Sequence, residues 1–271
     1  MATSELDQDR VVGLDEPESP EPEEEEEETG GTMSLVEHLE ELRKRIIICA
    51  VTIVLGSIVG FIFWQPLYHF LLLPLPQTAD ALAKGPNGQA VTVVTGVGEG
   101  FSTVLKLSVA VGIGLGAPMI LYQLWAFVAP GLTRRERRWA GPFVVIGTVL
   151  FLAGISVGFL TLRFPVNWLV NFGQGNFLEL ITADSYFTFI AFFMLAFGIV
   201  FELPLVLTFL AQIGIVSSRM LRNKRVVALV ILWILSTVLT PGTDPYSPVI
   251  LGAAMTVLYE LSIILIRVTG K

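Results

Sequence analysis

The chain has 271 residues, of which 53% are hydrophobic and only 15% are charged. A soluble domain of this size needs more charged side chains to cover its surface, so the composition excludes an ordinary soluble protein and indicates a membrane protein. The formal net charge of −7 combines two regions of opposite character. Residues 1–32 contain thirteen acidic residues and one basic residue, Arg10, whereas the remainder carries eleven acidic and sixteen basic residues.

The acidic tail at residues 1–32 has the composition of a disordered segment. It contains three prolines and the unbroken run Glu23–Glu28. Such a segment does not bury enough apolar surface to offset its chain entropy. We therefore divide the chain into a disordered acidic tail at 1–32 and a membrane domain at 33–271.

An amphipathic helix is predicted directly after the tail. Glu41 and Arg45 are four residues apart on it, a spacing at which opposite charges pair on a helix surface. We expect this helix to lie along the inner membrane interface and then to run into the membrane. Its apolar residues repeat at helical spacing: Leu35, Leu39, Leu42 and Ile46.

Six apolar stretches follow, and a helix needs roughly 20 apolar residues to cross the hydrocarbon. The fifth is short, at around fifteen residues, which implies a locally thinner bilayer or shelter by neighbouring helices. The sequence therefore predicts an all-α, polytopic membrane protein with six transmembrane helices. The stretches lie at about 46–66, 103–127, 141–163, 186–213, 226–240 and 248–266.

The basic residues predict the orientation, because cytoplasmic loops are enriched in lysine and arginine. Thirteen of the seventeen basic residues fall on one side of a six-span layout. Both termini are therefore predicted to lie in the cytoplasm (N-in, C-in). The thirteen residues are Arg43, Lys44, Arg45, Arg134, Arg135, Arg137, Arg138, Arg219, Arg222, Lys224, Arg225, Arg267 and Lys271.

No catalytic grouping is visible in the sequence. It has no plausible Ser/His/Asp set, no phosphate-binding loop and no HExxH motif, and its single cysteine, Cys49, excludes an internal disulfide and a cysteine-based metal cluster. We therefore expect a protein that is not an enzyme, with no cofactor, no metal ion and no nucleic-acid partner. Close helix packing explains the regularly spaced glycines of the second span, Gly112, Gly114 and Gly116.

Four short motifs occur in order along the chain. They are HLEELRKR at 38–45, WAFVAPGL followed by TRRERR at 125–138, FELP at 201–204, and LTP at 239–241 with Asp244. Together with the six-span layout from about residue 34 to 267, these motifs resemble the TatC family, the signal-peptide receptor subunit of the twin-arginine protein translocase.

The resemblance implies a receptor in a bacterial inner (cytoplasmic) membrane. TatC proteins recognise signal peptides that carry two consecutive arginines. Together with TatA/TatB-type single-span membrane subunits, as homo- or hetero-oligomers in the lipid bilayer, they export folded precursor proteins using the proton-motive force. The family's signal-binding glutamates fall on Glu41 and Glu136 of this sequence. The resemblance adds neighbouring signal-binding candidates: Arg43, Phe127, Arg137 and Arg138.

Each of the two glutamates also has a purely structural interpretation. Glu41 is spaced to pair with Arg45 on its own helix, and Thr133 with Glu136 has the spacing of a capping box for the third span. The binding interpretation rests on chemistry, because adjacent guanidiniums need carboxylates that accept charge-assisted hydrogen bonds, each worth about 1.5–3 kcal/mol. The spacing leaves both interpretations open, and the resemblance favours binding.

Glu202 is an ionisable residue inside a long apolar run, which makes it an intramembrane functional candidate. It supports an alternative function, a secondary transporter with Glu202 as a proton or ion site, although the two halves of the chain show no convincing repeat. A third alternative is a scaffold whose acidic tail recruits soluble partners. By resemblance, spans five and six form the partner surface, and its contact candidates are Thr240, Asp244 and Glu260.

Overall fold

The computed structural model describes residues 35–76, 83–84, 90–128, 140–172, 181–242 and 244–268. The acidic tail and the loop at 129–139 lie outside these ranges. The described part is helical except for a ladder of two short antiparallel strands, β1 (Ala83–Lys84) and β2 (Ala90–Val91). The prediction of a helical membrane protein is confirmed.

Ten helices make up the rest of the described secondary structure. In chain order they are α1 (Leu35–Ile62), α2 (Trp64–Leu71), α3 (Glu99–Val128), α4 (Ala140–Thr161), α5 (Arg163–Asn171), α6 (Ala183–Phe201), α7 (Leu203–Gln212), α8 (Ser218–Asn223), α9 (Arg225–Leu239) and α10 (Tyr246–Val268).

Five helical segments of the described chain are long and apolar enough to cross a membrane. They are Val36–Ile62, Glu99–Val128, Gly141–Asn171, Ala183–Gln212 and Tyr246–Val268. The predicted fifth span corresponds to α9, which has 15 residues. At 1.5 Å per residue α9 extends about 22 Å, less than the hydrocarbon thickness of about 30 Å. A sixth crossing, by α9, therefore stays a prediction.

The amphipathic segment after the tail and the first span form one uninterrupted helix, α1, of 28 residues. No glycine or proline occurs in this helix before Gly56, so nothing in its sequence separates the charged first turns from the apolar remainder. As a consequence, Glu41 and Arg45 are held on the same rigid element that packs along α3.

Two glycines set the distance between α1 and α3. A methyl group added at Gly56 of α1 would lie 2.9 Å from Cα of Gly112 on α3, so only hydrogen fits between the two backbones at this point. Gly116 also faces α1, because a methyl group there would lie 3.2 Å from the Thr52 side chain. The predicted role of these glycines in close helix packing is confirmed at Gly112 and Gly116.

The core of the bundle is centred on α6. Four of its side chains recur along one face and are at most 2% exposed: Phe187, Ile190, Phe193 and Phe197. They belong to one buried cluster with Leu251 and Met255 of α10 and with residues of α2, α3, α5 and α9. The tightly packed α6 thereby fixes the position of the helix that follows it, α7.

Aromatic contacts show which helix ends lie together. His38 at the start of α1 meets Phe127 at the end of α3, and Trp125 of α3 meets Phe143 at the start of α4 and Phe209 near the end of α7. We call this the basic end, since Arg43, Lys44 and Arg45 lie there. At the opposite end, the start of α6 is bonded to the chain before α3 through the backbone of residue 93.

Candidate functional site

Glu41 lies in the seam between α1 and α3 at the basic end. The Arg45 guanidinium binds one carboxylate oxygen, Oε1, through Nε at 3.1 Å and through Nη2. The same guanidinium donates from Nη1 to Oε1 of Gln123 on α3, also at 3.1 Å. The predicted pairing of Glu41 with Arg45 is therefore present, and Gln123 ties it to the neighbouring helix.

The second carboxylate oxygen of Glu41, Oε2, is buried and has no hydrogen-bond partner within the described residues. The side chains of Glu41 and Arg45 are each only 21% exposed. An unpaired buried acceptor costs about 1–3 kcal/mol, and more when it is charged, so Oε2 is a strong site for an incoming donor. This oxygen is the part of the pair that still lacks a donor.

A stacked pair lies beside Glu41 toward the start of α1. The His38 imidazole stacks on the Phe127 ring with centroids 4.4 Å apart and planes inclined by 22°. His38 precedes Glu41 by three residues, and Gln123 precedes Phe127 by four, so each pair shares one helix face. Glu41 is thus framed by two contacts between the same helices, one on each side along the seam.

Gln123 is the residue of this site that sequence reasoning missed. It is only 5% exposed although it is polar, and its amide nitrogen lies 3.9 Å from the sulfur of Met119. The available signal was a lone amide four residues before Phe127 in an otherwise apolar stretch. Hydropathy alone does not separate such a residue from a solvent-facing one, because it carries no information about the neighbouring helix.

The predicted signal-binding residues also include Arg43 and a group in the loop between α3 and α4. Arg43 is exposed on α1. Three of the predicted residues lie in the loop at 129–139, outside the described residues: Glu136, Arg137 and Arg138.

The two helix ends that bear the 129–139 loop are held together by stacked aromatic rings. The Trp125 and Phe143 rings lie 4.7 Å apart at 18°, and Phe209 meets Trp125 edge-on at 4.5 Å. Trp125 and Phe143 are 7% and 6% exposed, so both loop ends are anchored in packed structure. The anchored loop ends are therefore at the same end of the bundle as Glu41.

Glu202 stands at the junction where α6 gives way to α7. Pro204 occupies the first turn of α7 and has no N–H to continue the α6 hydrogen-bond pattern, which explains the break. A methyl group added at Gly147 of α4 would lie 3.1 Å from Oε2 of Glu202, so the carboxylate reaches α4. Its Oε1 is buried without a hydrogen-bond partner in the described structure.

The three partner-contact candidates have contacts within the chain. Asp244 is 2% exposed and caps α10, accepting from the Ser247 N–H and from its hydroxyl, each at 2.7 Å. Thr240 is 9% exposed and donates to the Ser236 carbonyl at 3.0 Å. Oε1 of Glu260 lies 2.6 Å from Nε of Arg225, and the two side chains form an ion pair. These contacts stabilise the end of α9, the start of α10 and the packing of the two helices against each other.

The opposite end carries a separate ion pair. Lys106 of α3 binds Asp184 of α6 at 2.6 Å, whereas Glu99 accepts hydrogen bonds from Thr95 and Gly96 before its own helix. Both sets of contacts anchor the start of α3. Across the described residues, no group of three His, Cys, Asp or Glu side chains is placed to hold a metal ion.

Comparison with known proteins gives a consistent result. Residues 37–253 match the family model described as Sec-independent protein translocase protein (TatC). A protein of that name from Carboxydothermus hydrogenoformans is 38% identical over 87% of this chain and 93% of its own length. Another from Synechocystis is 37% identical over 88% of this chain and 90% of its own length.

A solved structure supports the same conclusion. The crystal structure titled as the twin-arginine translocase receptor TatC superposes with a TM-score of 0.71 at 28% identity, covering 87% of this chain and all of that one. The family-model match over residues 37–253 includes Glu41, Gln123 and Phe127 of the candidate site. This chain belongs to the TatC family of protein translocase components.

Proposed function

We propose that this protein is the core receptor subunit of a twin-arginine translocase and binds twin-arginine signal peptides at the cytoplasmic face. The observation that carries the proposal is the buried Oε2 of Glu41, which has no hydrogen-bond partner in the described part of the chain. It lies at the end of the bundle from which the 129–139 loop, with Glu136, departs. In this proposal, the carboxylates of Glu41 and Glu136 pair with the two adjacent guanidiniums of the signal peptide.

The surrounding charges add selectivity. Arg43, Arg137 and Arg138 repel a cationic peptide until its guanidiniums pair with the two glutamates, because charges near a partly desolvated interface are weakly screened. Phe127, stacked on His38, offers an apolar surface next to Glu41. A peptide with two arginines beside an apolar stretch fits this combination.

The cytoplasmic placement of the site follows from the basic residues. The described part of the basic end carries Arg43, Lys44 and Arg45 on α1 together with Arg219 and Arg222 on α8. With both termini on the cytoplasmic side, signal peptides reach Glu41 directly after synthesis.

The partner surface in this proposal is α9 and the face of α10 beside it. Val226, Val230, Ile234 and Val238 of α9 are 54–75% exposed in this chain, an apolar stripe that suits a single-span TatA/TatB-type helix. Thr240 and Asp244 define the turn at one end of this unit, and the Arg225–Glu260 pair braces it near the other. Export of folded proteins is then driven by the proton-motive force, with Glu202 as an intramembrane site that acts during transport.

A binding assay with the purified protein in lipid nanodiscs tests the receptor function. Fluorescently labelled signal peptide with two arginines is compared with the same peptide carrying two lysines. We expect the arginine peptide to bind at least about tenfold more tightly, and Glu41→Gln with Glu136→Gln to remove this preference. Arginine-peptide binding that survives in the double variant would refute the site, and equal binding of both peptides to the native protein would refute the function.

The same preparation separates the translocase from a secondary transporter. Reconstituted without partner subunits, a secondary transporter moves a small solute or protons across the bilayer, and Glu202→Gln stops it. The receptor proposed here shows no such flux alone. Protein export that needs single-span partner subunits supports the translocase function.

A further inference from the structure

We propose that Arg45 and Gln123 are positioning residues that hold the Glu41 carboxylate with one oxygen occupied and the other without a donor, which a signal-peptide guanidinium then supplies. The inference rests on the proposed function and extends it. It assigns the discrimination between arginine and lysine to two side chains that act through Glu41.

The first step concerns the way in which Arg45 binds. An arginine without other constraints frequently binds a carboxylate through two parallel hydrogen bonds, one to each oxygen. Here Nε and Nη2 of Arg45 both contact the same oxygen of Glu41, Oε1. The other oxygen, Oε2, stays buried without a partner within the described chain. Arg45 therefore occupies half of the carboxylate.

The second step explains why Arg45 does not take both oxygens. Its third nitrogen, Nη1, donates to the Gln123 carbonyl oxygen at 3.1 Å. Gln123 is 5% exposed on α3, and the close contact of Gly56 with Gly112 fixes the register of α1 against α3. The acceptor on α3 is therefore stationary, and it keeps the guanidinium turned away from Oε2.

The third step connects this geometry with selectivity. A guanidinium is a planar fork whose hydrogen bonds require an acceptor in a fixed orientation, whereas an ammonium is a compact charge that binds a carboxylate in many orientations. An immobilised Glu41 holds Oε2 in one orientation, in which two N–H groups of a planar guanidinium can converge on it, as those of Arg45 converge on Oε1. A Glu41 that rotates freely, or that Arg45 covers completely, gives arginine no advantage over lysine at this position.

The experiment measures binding of three labelled signal peptides to the full-length protein in nanodiscs: arginine–arginine, lysine–arginine and arginine–lysine. The single-lysine peptides retain one arginine for Glu136, so their binding remains measurable. In the native protein, one of the two lysine substitutions should weaken binding about tenfold through Glu41. In Arg45→Gln and in Gln123→Met, that same lysine substitution should weaken peptide binding by less than about twofold. The reason is that these variants lower the affinity for the arginine–arginine peptide and leave the affinity for the lysine peptide unchanged.

The combined variant shows whether the two residues act together. If Gln123 acts only through Arg45, the combined variant Arg45→Gln with Gln123→Met should distinguish arginine from lysine peptides as well as either single variant does. Gln123→Glu retains an acceptor oxygen for Arg45 and should keep the native discrimination, which also covers the case in which Gln123→Met does not fold. Lys106→Gln, which removes an ion pair at the opposite end, is the matched control and should behave as the native protein.

Three results overturn the positioning role. They are an equal loss of affinity for all three peptides in Arg45→Gln, native discrimination in both single variants, and additive effects in the combined variant. A failure of the proposed function looks different, because the native protein then binds all three peptides equally.

Discussion

Two glutamates of this bundle, Glu41 and Glu202, have opposite surroundings. Glu41 lies at the basic end, where Arg45 binds one of its oxygens and Gln123 fixes that arginine to α3. Glu202 lies at the α6–α7 junction beside Gly147 and Leu205, and no ion pair reaches it within the described residues. Each carboxylate has one buried oxygen without a hydrogen-bond partner among the residues that the structure describes.

The difference shows how surroundings assign separate tasks to the same side chain. A carboxylate at a polar interface, with one arginine already in place, is prepared for a second guanidinium from a ligand. A carboxylate held among apolar helices is costly to keep there, and such residues mark pathways and intramembrane sites. We therefore expect changes at Glu41 to affect signal recognition and changes at Glu202 to affect transport.

The largest effect on signal recognition is expected when the charges of the Glu41–Arg45 pair are exchanged. The combined change Glu41→Arg with Arg45→Glu keeps an i,i+4 ion pair on α1 but moves the carboxylate about one helical turn along the seam. We expect at least about a hundredfold loss of twin-arginine peptide binding, measured by fluorescence anisotropy, because an arginine then occupies the proposed binding position. The thermal unfolding temperature reports whether the helix pair is intact. Native-level binding in this variant would show that any ion pair on α1 suffices.

A packing change tests whether the frame around Glu41 depends on the α1–α3 seam. In Gly112→Ala the new methyl group would lie 2.7 Å from the Ser57 backbone nitrogen, so the helices must separate. We expect a loss of about 1–3 kcal/mol in the free energy of unfolding, and peptide binding about fivefold weaker because Gln123 moves relative to Arg45.

Gly114→Ala is the matched control for this change. Its new methyl group would have its nearest neighbour, the Ile155 side chain, at 3.9 Å, an ordinary contact. We expect stability and binding within experimental error of the native protein, or slightly greater stability from the higher helix propensity of alanine. Equal effects of the two alanines would mean that close packing at Gly112 is unimportant.

The smallest effect on recognition is expected at Glu202. Glu202→Gln keeps the shape of the side chain and lies away from the α1–α3 seam, so twin-arginine peptide binding should change by less than about twofold. Export of a folded passenger by the complete translocase should fall about tenfold if this buried carboxylate acts during transport. Parallel binding and export assays on one preparation measure both. Reduced peptide binding with normal export would reverse the tasks assigned to the two glutamates.

The arrangement of the candidate site was only partly visible in the sequence. The i,i+4 spacing of Glu41 and Arg45 predicted their ion pair, because both residues belong to one helix whose geometry is regular. Gln123 and the stacking of His38 on Phe127 were not predicted, since they join residues 78 and 89 positions apart in the chain. Such contacts depend on which faces of α1 and α3 meet, and the chemistry of each helix alone does not determine this.

The sequence by itself determined that the protein is a helical membrane protein, because apolar length and the scarcity of charge are local properties. The break after Phe201 falls inside the predicted span 186–213, at the point where Pro204 lacks the N–H that a continuous helix needs. Only the tertiary structure decided which glutamate oxygens remain unpaired and that Asp244 is buried as a helix cap. Those properties arise where separate helices or turns pack together, because burial and the supply of hydrogen-bond donors are then set by neighbours distant in the chain.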